Sequence, residues 1–168
     1  MGSDDRAAAG AVCGGERVTP QQGVLAAGKE PPRFNARVLF AEDSVVNQLL
    51  LEMALRKLGC RTQKSGNGGE AVQWYRESIA AATPCAFDLV LMDCHMPGMD
   101  GYQATAAIRE LERECASPRI PIIAMTAYTT AGERERCLAA GMDDYLSKPF
   151  GWPQLAVAMG RWLKPTAA

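Results

Sequence analysis

Apolar residues along this chain gather in short unbroken runs, and after each run they thin out to every third or fourth position. Val38-Leu39-Phe40-Ala41 is the first run, and helical spacing over Val45–Leu58 follows it. Asp43 or Ser44 is placed to cap that helix, Gly59 to stop it, and Val46, Leu50, Met53 with Leu51, Leu55, Leu58 to form a wide inward stripe. A short strand at about Cys60–Lys64, a glycine-rich turn at Ser65–Gly69 and a helix at about Glu70–Ala81, with Val72, Tyr75 and Ile79 on one face, make a second unit. Thr83-Pro84 breaks that helix. Leu89-Val90-Leu91-Met92 reads as a strand buried on both faces and stops at an acid, Asp93. After the loop Cys94–Asp100, a helix over Gly101–Glu114 turns Ala104, Ile108, Leu111 and Cys115 inward. Ile122–Met125 is a fourth buried strand ending at Thr126, and the helix Gly132–Ala140 after it stops at Gly141, a left-handed position that favours glycine. Asp144–Ser147 is a short fifth strand ending at Lys148-Pro149, and the last helix, Trp152–Leu163, sets Leu155, Ala158 or Met159, and Trp162 inward.

Five strand-helix units in strict alternation predict an α/β fold: a doubly wound, five-stranded parallel sheet with right-handed crossovers and helices on both faces. Residues 1–35, rich in Gly, Ala and Pro and without a period, read as a flexible linker; 36–164 form the domain and 165–168 a short tail. With 168 residues and 48% hydrophobic content, the chain has room for one ordinary core. A net charge of −1 and no basic run argue against a nucleic-acid surface. The six cysteines include no C-x-x-C pair and several sit among apolar residues, as reduced thiols of a cytoplasmic protein do. No apolar stretch is long enough to cross a bilayer, so no direct membrane contact is expected.

What stands at the strand ends changes the picture. Glu42 and Asp43 follow the first strand, Asp93 ends the third, Thr126 the fourth, and Lys148 follows the fifth. In a sheet ordered 2-1-3-4-5 the strand order reverses between strands one and three, so the three acids converge at the switch point, with Thr126 and Lys148 closing the other side. Like charges at about 4 Å repel by roughly 4 kcal/mol per pair at an effective dielectric near 20, so a cation is required. Hard oxygen donors without a histidine or thiolate cluster favour Mg2+. Asp93 is then placed as a nucleophile toward phosphorus, with Lys148 neutralising phosphoryl oxygens and Thr126 donating a hydrogen bond.

The stretches RVLFAEDSVVNQLLLEMALRKLG, DLVLMDCHMPGMDGYQAT, PIIAMTA and CLAAGMDDYLSKPF, in that order, resemble the receiver domains of two-component response regulators over about Ala36 to Lys164. The resemblance implies a flavodoxin-like (βα)5 fold and Asp93 as phospho-acceptor. It implies Glu42, Asp43 and the backbone carbonyl of His95 as further Mg2+ ligands, and Thr126 and Tyr145 as a switch pair. It also implies that Lys148 contacts the phosphoryl group, that Pro149 follows in a cis peptide bond, and that His95 and Tyr128 tune phosphate lifetime. The wording E-D-S-x-x-N-Q and M-D-C-x-M-P-G-M-D-G is most similar to receivers of hybrid sensor histidine kinases.

The implied function is a phosphorelay switch. It takes a phosphoryl group from the phosphohistidine of a histidine kinase core, in the same parent chain or another, and exchanges it with a histidine phosphotransfer protein or domain. The responding surface is built from the fourth helix, fifth strand and fifth helix. A membrane-anchored parent kinase is compatible with a cytoplasmic receiver. His95 is the one histidine and lies in a loop, so the chain receives phosphoryl groups rather than originating them, and its side chain reads as a bystander. A stand-alone response regulator is an alternative. A small aspartate-nucleophile phosphatase would want an acid where His95 stands, and a flavodoxin-like flavin binder would want its glycine-rich turn after the first strand.

Overall fold

The computed structural model describes residues 30–81, 87–128 and 130–166; the Thr83-Pro84 helix break and most of the expected linker lie outside them. Five strands, β1 (Arg37–Ala41), β2 (Arg61–Ser65), β3 (Leu89–Asp93), β4 (Ile122–Thr126) and β5 (Asp144–Ser147), alternate with five helices, α1 (Val45–Lys57), α2 (Gly68–Ala80), α3 (Gly101–Glu114), α4 (Ala131–Ala140) and α5 (Trp152–Gly160). The strands pair in parallel in the order β2-β1-β3-β4-β5. This is the predicted doubly wound α/β sheet.

The pleat divides the strand residues between two apolar layers. Val38, Phe40, Leu89, Leu91, Ile123 and Met125 face Leu51, Leu55 and Leu58 at α1 and Leu155 and Met159 of α5. Leu39, Ala41, Val90, Met92, Ile122 and Ala124 face Tyr75 of α2, Ala104, Ile108 and Leu111 of α3 and Cys137 of α4. Because β1, β3 and β4 are covered on both faces, their runs are continuously apolar, and each fully buried large side chain contributes about 1.5–3 kcal/mol. Caps fix where the helices begin: Ser44 for α1, Asn67 for α2, Asp100 for α3 in a capping box with Gln103, and Thr130 for α4. Gly141 ends α4 at φ 97°, as expected.

Four expectations about packing are corrected. On α1, Val46, Leu50 and Met53 point to solvent and only the Leu51, Leu55, Leu58 stripe packs inward, because a helix laid on a sheet buries one face. Cys115 caps α3 and is exposed. α5 stops at Gly160, so Trp162 lies beyond the helix, where its indole N–H donates to Asp144 Oδ2 (3.3 Å). Residues 33–35 are not loose linker. Phe34 is buried in the α1/α5 layer with its amide on Leu58 O (2.9 Å), and Arg33 pairs with Thr166, which ties the segment before β1 to the one after α5. A lone aromatic after Pro31-Pro32 gives no periodic signal. Among the described residues, no helix is long and apolar enough to cross a membrane.

Candidate functional site

Asp93 is the last residue of β3, and the backbone turns sharply after it. Gly101 makes this turn possible: its N–H donates to Cys94 O (3.1 Å), and a Cβ there would stand 2.1 Å from Asp93 O. The loop 94–100 therefore folds back over the strand end instead of leading away. Its first amide, His95 N–H, donates to Asp93 Oδ1 (3.2 Å).

β1 delivers Glu42 and Asp43 beside this acid, since Ala41, its last residue, pairs with Met92, so that Glu42 comes level with Asp93. Carboxylate oxygens of Glu42, Asp43 and Asp93 all lie within 4.8 Å of one another. Lys148, carried out of β5 and followed by a cis proline, places Nζ 2.6 Å from Glu42 Oε2 and 2.6 Å from Asp93 Oδ2. Its amide donates to Thr126 O (2.7 Å), so β4 and β5 jointly aim the side chain across the sheet end. Side chains from three strand ends, those of β1, β3 and β5, thus meet in one pocket, 106 positions apart in sequence at the widest hydrogen bond.

The charges do not balance. One lysine serves two buried acids, and Asp43, exposed at the mouth, has no ion pair among the described residues. Burial pushes the Asp93 carboxyl above its ordinary range, and the ammonium of Lys148 only partly offsets this. Burial pushes Glu42 up as well, but bonds from Lys148, Asn47 and the Ser44 amide outweigh it and hold that carboxyl low. Burial depresses Lys148, yet its two carboxylate partners prevail and keep it charged. A pocket of oxygen donors with surplus negative charge fits Mg2+, with Glu42, Asp43 and Asp93 as available ligands.

Thr126 is buried beside the pocket, and its hydroxyl is turned away from Asp93: it donates to Glu133 Oε1 of α4 (3.3 Å) and accepts from the Tyr128 amide (3.1 Å). Tyr145 is 38% exposed, and with Thr126 it lines a cavity of about 60 Å³. Tyr128 lies over the pocket edge with its ring edge-on to His95, centroids 5.4 Å apart.

Three functional positions escaped the sequence reading. Asn47 Nδ2 donates to Glu42 Oε1 (3.0 Å) and Gln48 Nε2 to Glu42 O (2.7 Å), which fixes the acid; polar residues in the first turn of an otherwise apolar helix were the available signal. Glu133 is 7% exposed and bonds both Thr126 and the Tyr102 hydroxyl, but in sequence it is one of several acids on a charged helix.

The family model for the response regulator receiver domain matches residues 38–159. The sensor protein GacS of Pseudomonas syringae is 43% identical over 126 residues, which is 75% of this chain and 13% of GacS; the chain thus spans a small part of the kinases it matches. The receiver domain of the sensor histidine kinase PA1611 from Pseudomonas aeruginosa, solved with magnesium coordinated in its active-site cleft, is 41% identical with a TM-score of 0.62, covering 76% of this chain and 96% of that one. A structure of the Saccharomyces cerevisiae response regulator Ssk1 receiver with the histidine phosphotransfer protein Ypd1 matches at 30% identity and a TM-score of 0.69, covering 80% of this chain and 91% of that one. The acid pocket at the strand ends, the fold around it and the match across most of its length place this chain in the family of response regulator receiver domains.

Proposed function

We propose that this receiver takes a phosphoryl group from a phosphohistidine onto Asp93 within a phosphorelay, as part of a hybrid sensor histidine kinase. The observation that carries the reading is the shared position of Lys148 Nζ, 2.6 Å from both Glu42 and Asp93. An Asp93 oxygen forms the new P–O bond while the P–N bond of the donor breaks, and the donor imidazole keeps the electron pair and takes a proton from solvent. Lys148 moves from bridging two acids to contacting a phosphoryl oxygen, and the His95 amide orients the attacking carboxylate. Mg2+, held by Glu42, Asp43, Asp93 and the His95 carbonyl, would supply charge neutralisation for the transferring group. Asn47 and Gln48 keep Glu42 aimed inward.

The switch follows from the same geometry. Phosphoryl oxygens on Asp93 give the Thr126 hydroxyl a stronger acceptor than Glu133, Thr126 turns toward them, and Tyr145 moves into the cavity beside it. This shifts the population of the α4-β5-α5 surface between two states. His95 and Tyr128, edge-to-face at the pocket edge, control access of water to the phosphoryl group and hence its lifetime.

The partner surface is α1. Val45, Val46, Leu49, Leu50 and Met53 are 59–77% exposed on a helix that begins two residues past Asp43, so an apolar face adjoins the pocket mouth. Such a patch marks a docking site, here for the phosphotransfer domain that presents the phosphohistidine. Free thiols at Cys60, Cys94, Cys115 and Cys137 suit a reducing, cytoplasmic location.

The deciding experiment is labelling by a small phosphodonor with Mg2+, read by intact mass. Wild type gains one phosphoryl group and Asp93→Asn none; equal labelling of the variant overturns the assignment. Leu50→Glu is expected to slow transfer from a phosphotransfer protein by about tenfold or more, while labelling by the small donor, which needs no docking, stays.

A further inference from the structure

On the far side of Thr126 from the acid pocket, the fold assembles a second donor set of different chemistry. Cys94, the residue after Asp93, and Cys137 of α4 are both buried with Sγ atoms 3.7 Å apart. Glu133, one helical turn before Cys137, brings a carboxylate oxygen so that all three atoms lie within 4.8 Å of one another. His95 stands beside this cluster, with Nε2 3.9 Å from Glu133 Oε1. Two thiols and one carboxylate, with an imidazole next to them, are the donor types that a borderline-soft ion takes in tetrahedral sites, unlike the all-oxygen pocket that suits Mg2+.

The spacing agrees with that chemistry. Zinc–sulfur bonds of about 2.3 Å at the tetrahedral angle put two sulfurs about 3.8 Å apart, close to what is found. Nitrogen and oxygen ligands at about 2.0–2.1 Å would stand about 3.3 Å apart, so His95, which lies outside the three-residue cluster, has to swing in toward both Glu133 and the two sulfurs. The ring has that freedom, since it sits half exposed in the loop between Tyr102 and Tyr128. Outer partners that would hold the ligands are in place: Glu133 accepts from Tyr102 and from Thr126. The cavity of about 60 Å³ lined by Glu133, Cys137, Thr126 and Tyr145 opens onto the site from the α4/β5 side. Two positive charges oppose a cation: Arg136, 63% exposed, 3.8 Å from Glu133 and over the Tyr102 ring, and Arg134, which lines the cavity.

We propose that Cys94, Cys137, Glu133 and His95 form a zinc site, separate from the Mg2+ pocket. Binding displaces two thiol protons to solvent and leaves two zinc-bound thiolates. Because the ion takes the carboxylate that accepts the Thr126 hydroxyl, zinc affinity changes with the state of Asp93. That last consequence rests on the receiver reading; the site itself does not.

The test is a Co2+ titration of the full chain, kept reduced and saturated with Mg2+, read by visible absorption and near-ultraviolet sulfur-to-cobalt charge transfer. The expected result is one equivalent of tetrahedral Co2+, displaced by Zn2+, with charge transfer clearly weaker in Cys137→Ser, which keeps the Cys94 thiolate, and affinity at least tenfold weaker in His95→Ala. Cys60→Ser, Cys115→Ser and Asp93→Asn retain the bands, the last of these separating failure of this site from failure of the phosphorylation reading. Circular dichroism checks that Cys137→Ser folds, and Glu133→Gln, which keeps both thiols, must also weaken binding. Absence of charge transfer, its persistence at full wild-type intensity in Cys137→Ser, or competition by Mg2+ overturns the proposal. Equal Zn2+ affinity with and without beryllofluoride overturns the coupling to Asp93.

Discussion

Two clusters of buried charge lie at opposite ends of the same sheet, and they differ in balance. At the amino ends of β4 and β5, Arg109 bonds Glu112 and Asp143 at 2.7–2.8 Å and the carbonyls of Gly141 and Ile120. Arg119 adds a second cation on Asp143. Glu112 also accepts from the Ile120 amide and the Tyr75 hydroxyl, and Asp143 from the Ile122 amide. Two cations meet two acids, with backbone groups taking up the remaining capacity. At the carboxyl ends, one lysine meets three acids. Burial of charge is common to both; surplus charge belongs only to the second. A closed network has nothing left to bind, whereas an acid pocket short of one cation has affinity for a metal and for the transfer chemistry it supports.

The largest effect that would break this contrast is on stability at the balanced end. Arg109→Ala leaves Glu112 and Asp143 buried without their main partner and is expected to cost about 3–5 kcal/mol by urea unfolding, the same with or without Mg2+. Lys148→Met should cost less, about 2 kcal/mol in a chelator, because its side chain is 23% exposed and Asp43 opens to water. Here Mg2+ should restore much of the loss, and a larger loss than for Arg109→Ala would reverse the ranking.

Asp93→Asn sharpens the comparison further. Burial raises the folded-state pKa of this acid, so stability is lost as pH rises from the ordinary carboxylate value up to the raised one and stays lost above it. In a chelator at pH 7 the variant is expected to be more stable than wild type, with the gap narrowing as pH falls from the raised pKa toward the ordinary carboxylate value. Glu42 has the opposite sign: its carboxyl is held low, so its contribution fades only at more acidic pH. A gap that widens on acidification would contradict the assignment. The smallest effect serves as the reference for an exposed pair: Arg56→Ala, which removes the surface bridge to Glu52, should change stability by less than about 0.5 kcal/mol.

The acid pocket was legible because strand ends converge by topology alone. Once β1 and β3 are neighbours, Glu42, Asp43 and Asp93 must meet, whatever the loops do. The exposure of Val46, Leu50 and Met53 was not legible, since apolar spacing marks a helix but does not say which of two adjoining stripes meets the sheet. Glu133 was hidden for a related reason: whether an acid on an amphipathic helix is solvated or buried depends on what α3 and the loop 94–100 place against it. His95 read as a bystander because nothing in its stretch of sequence shows Glu133, the acid that α4 brings to 3.9 Å from its ring and that lies about forty positions away.

The order of apolar runs and the residues that end them determined, by themselves, a five-stranded parallel sheet and a pocket of oxygen donors at its switch point. Period and strand-end position are local properties that survive into any compact form of this chain. The pairing of Arg109 with Asp143, the bond from Thr126 to Glu133 and the approach of Cys94 to Cys137 were decided only when helices settled on the sheet. Helix rotation and tilt answer to packing volume over the whole layer, and no short stretch of sequence carries that information.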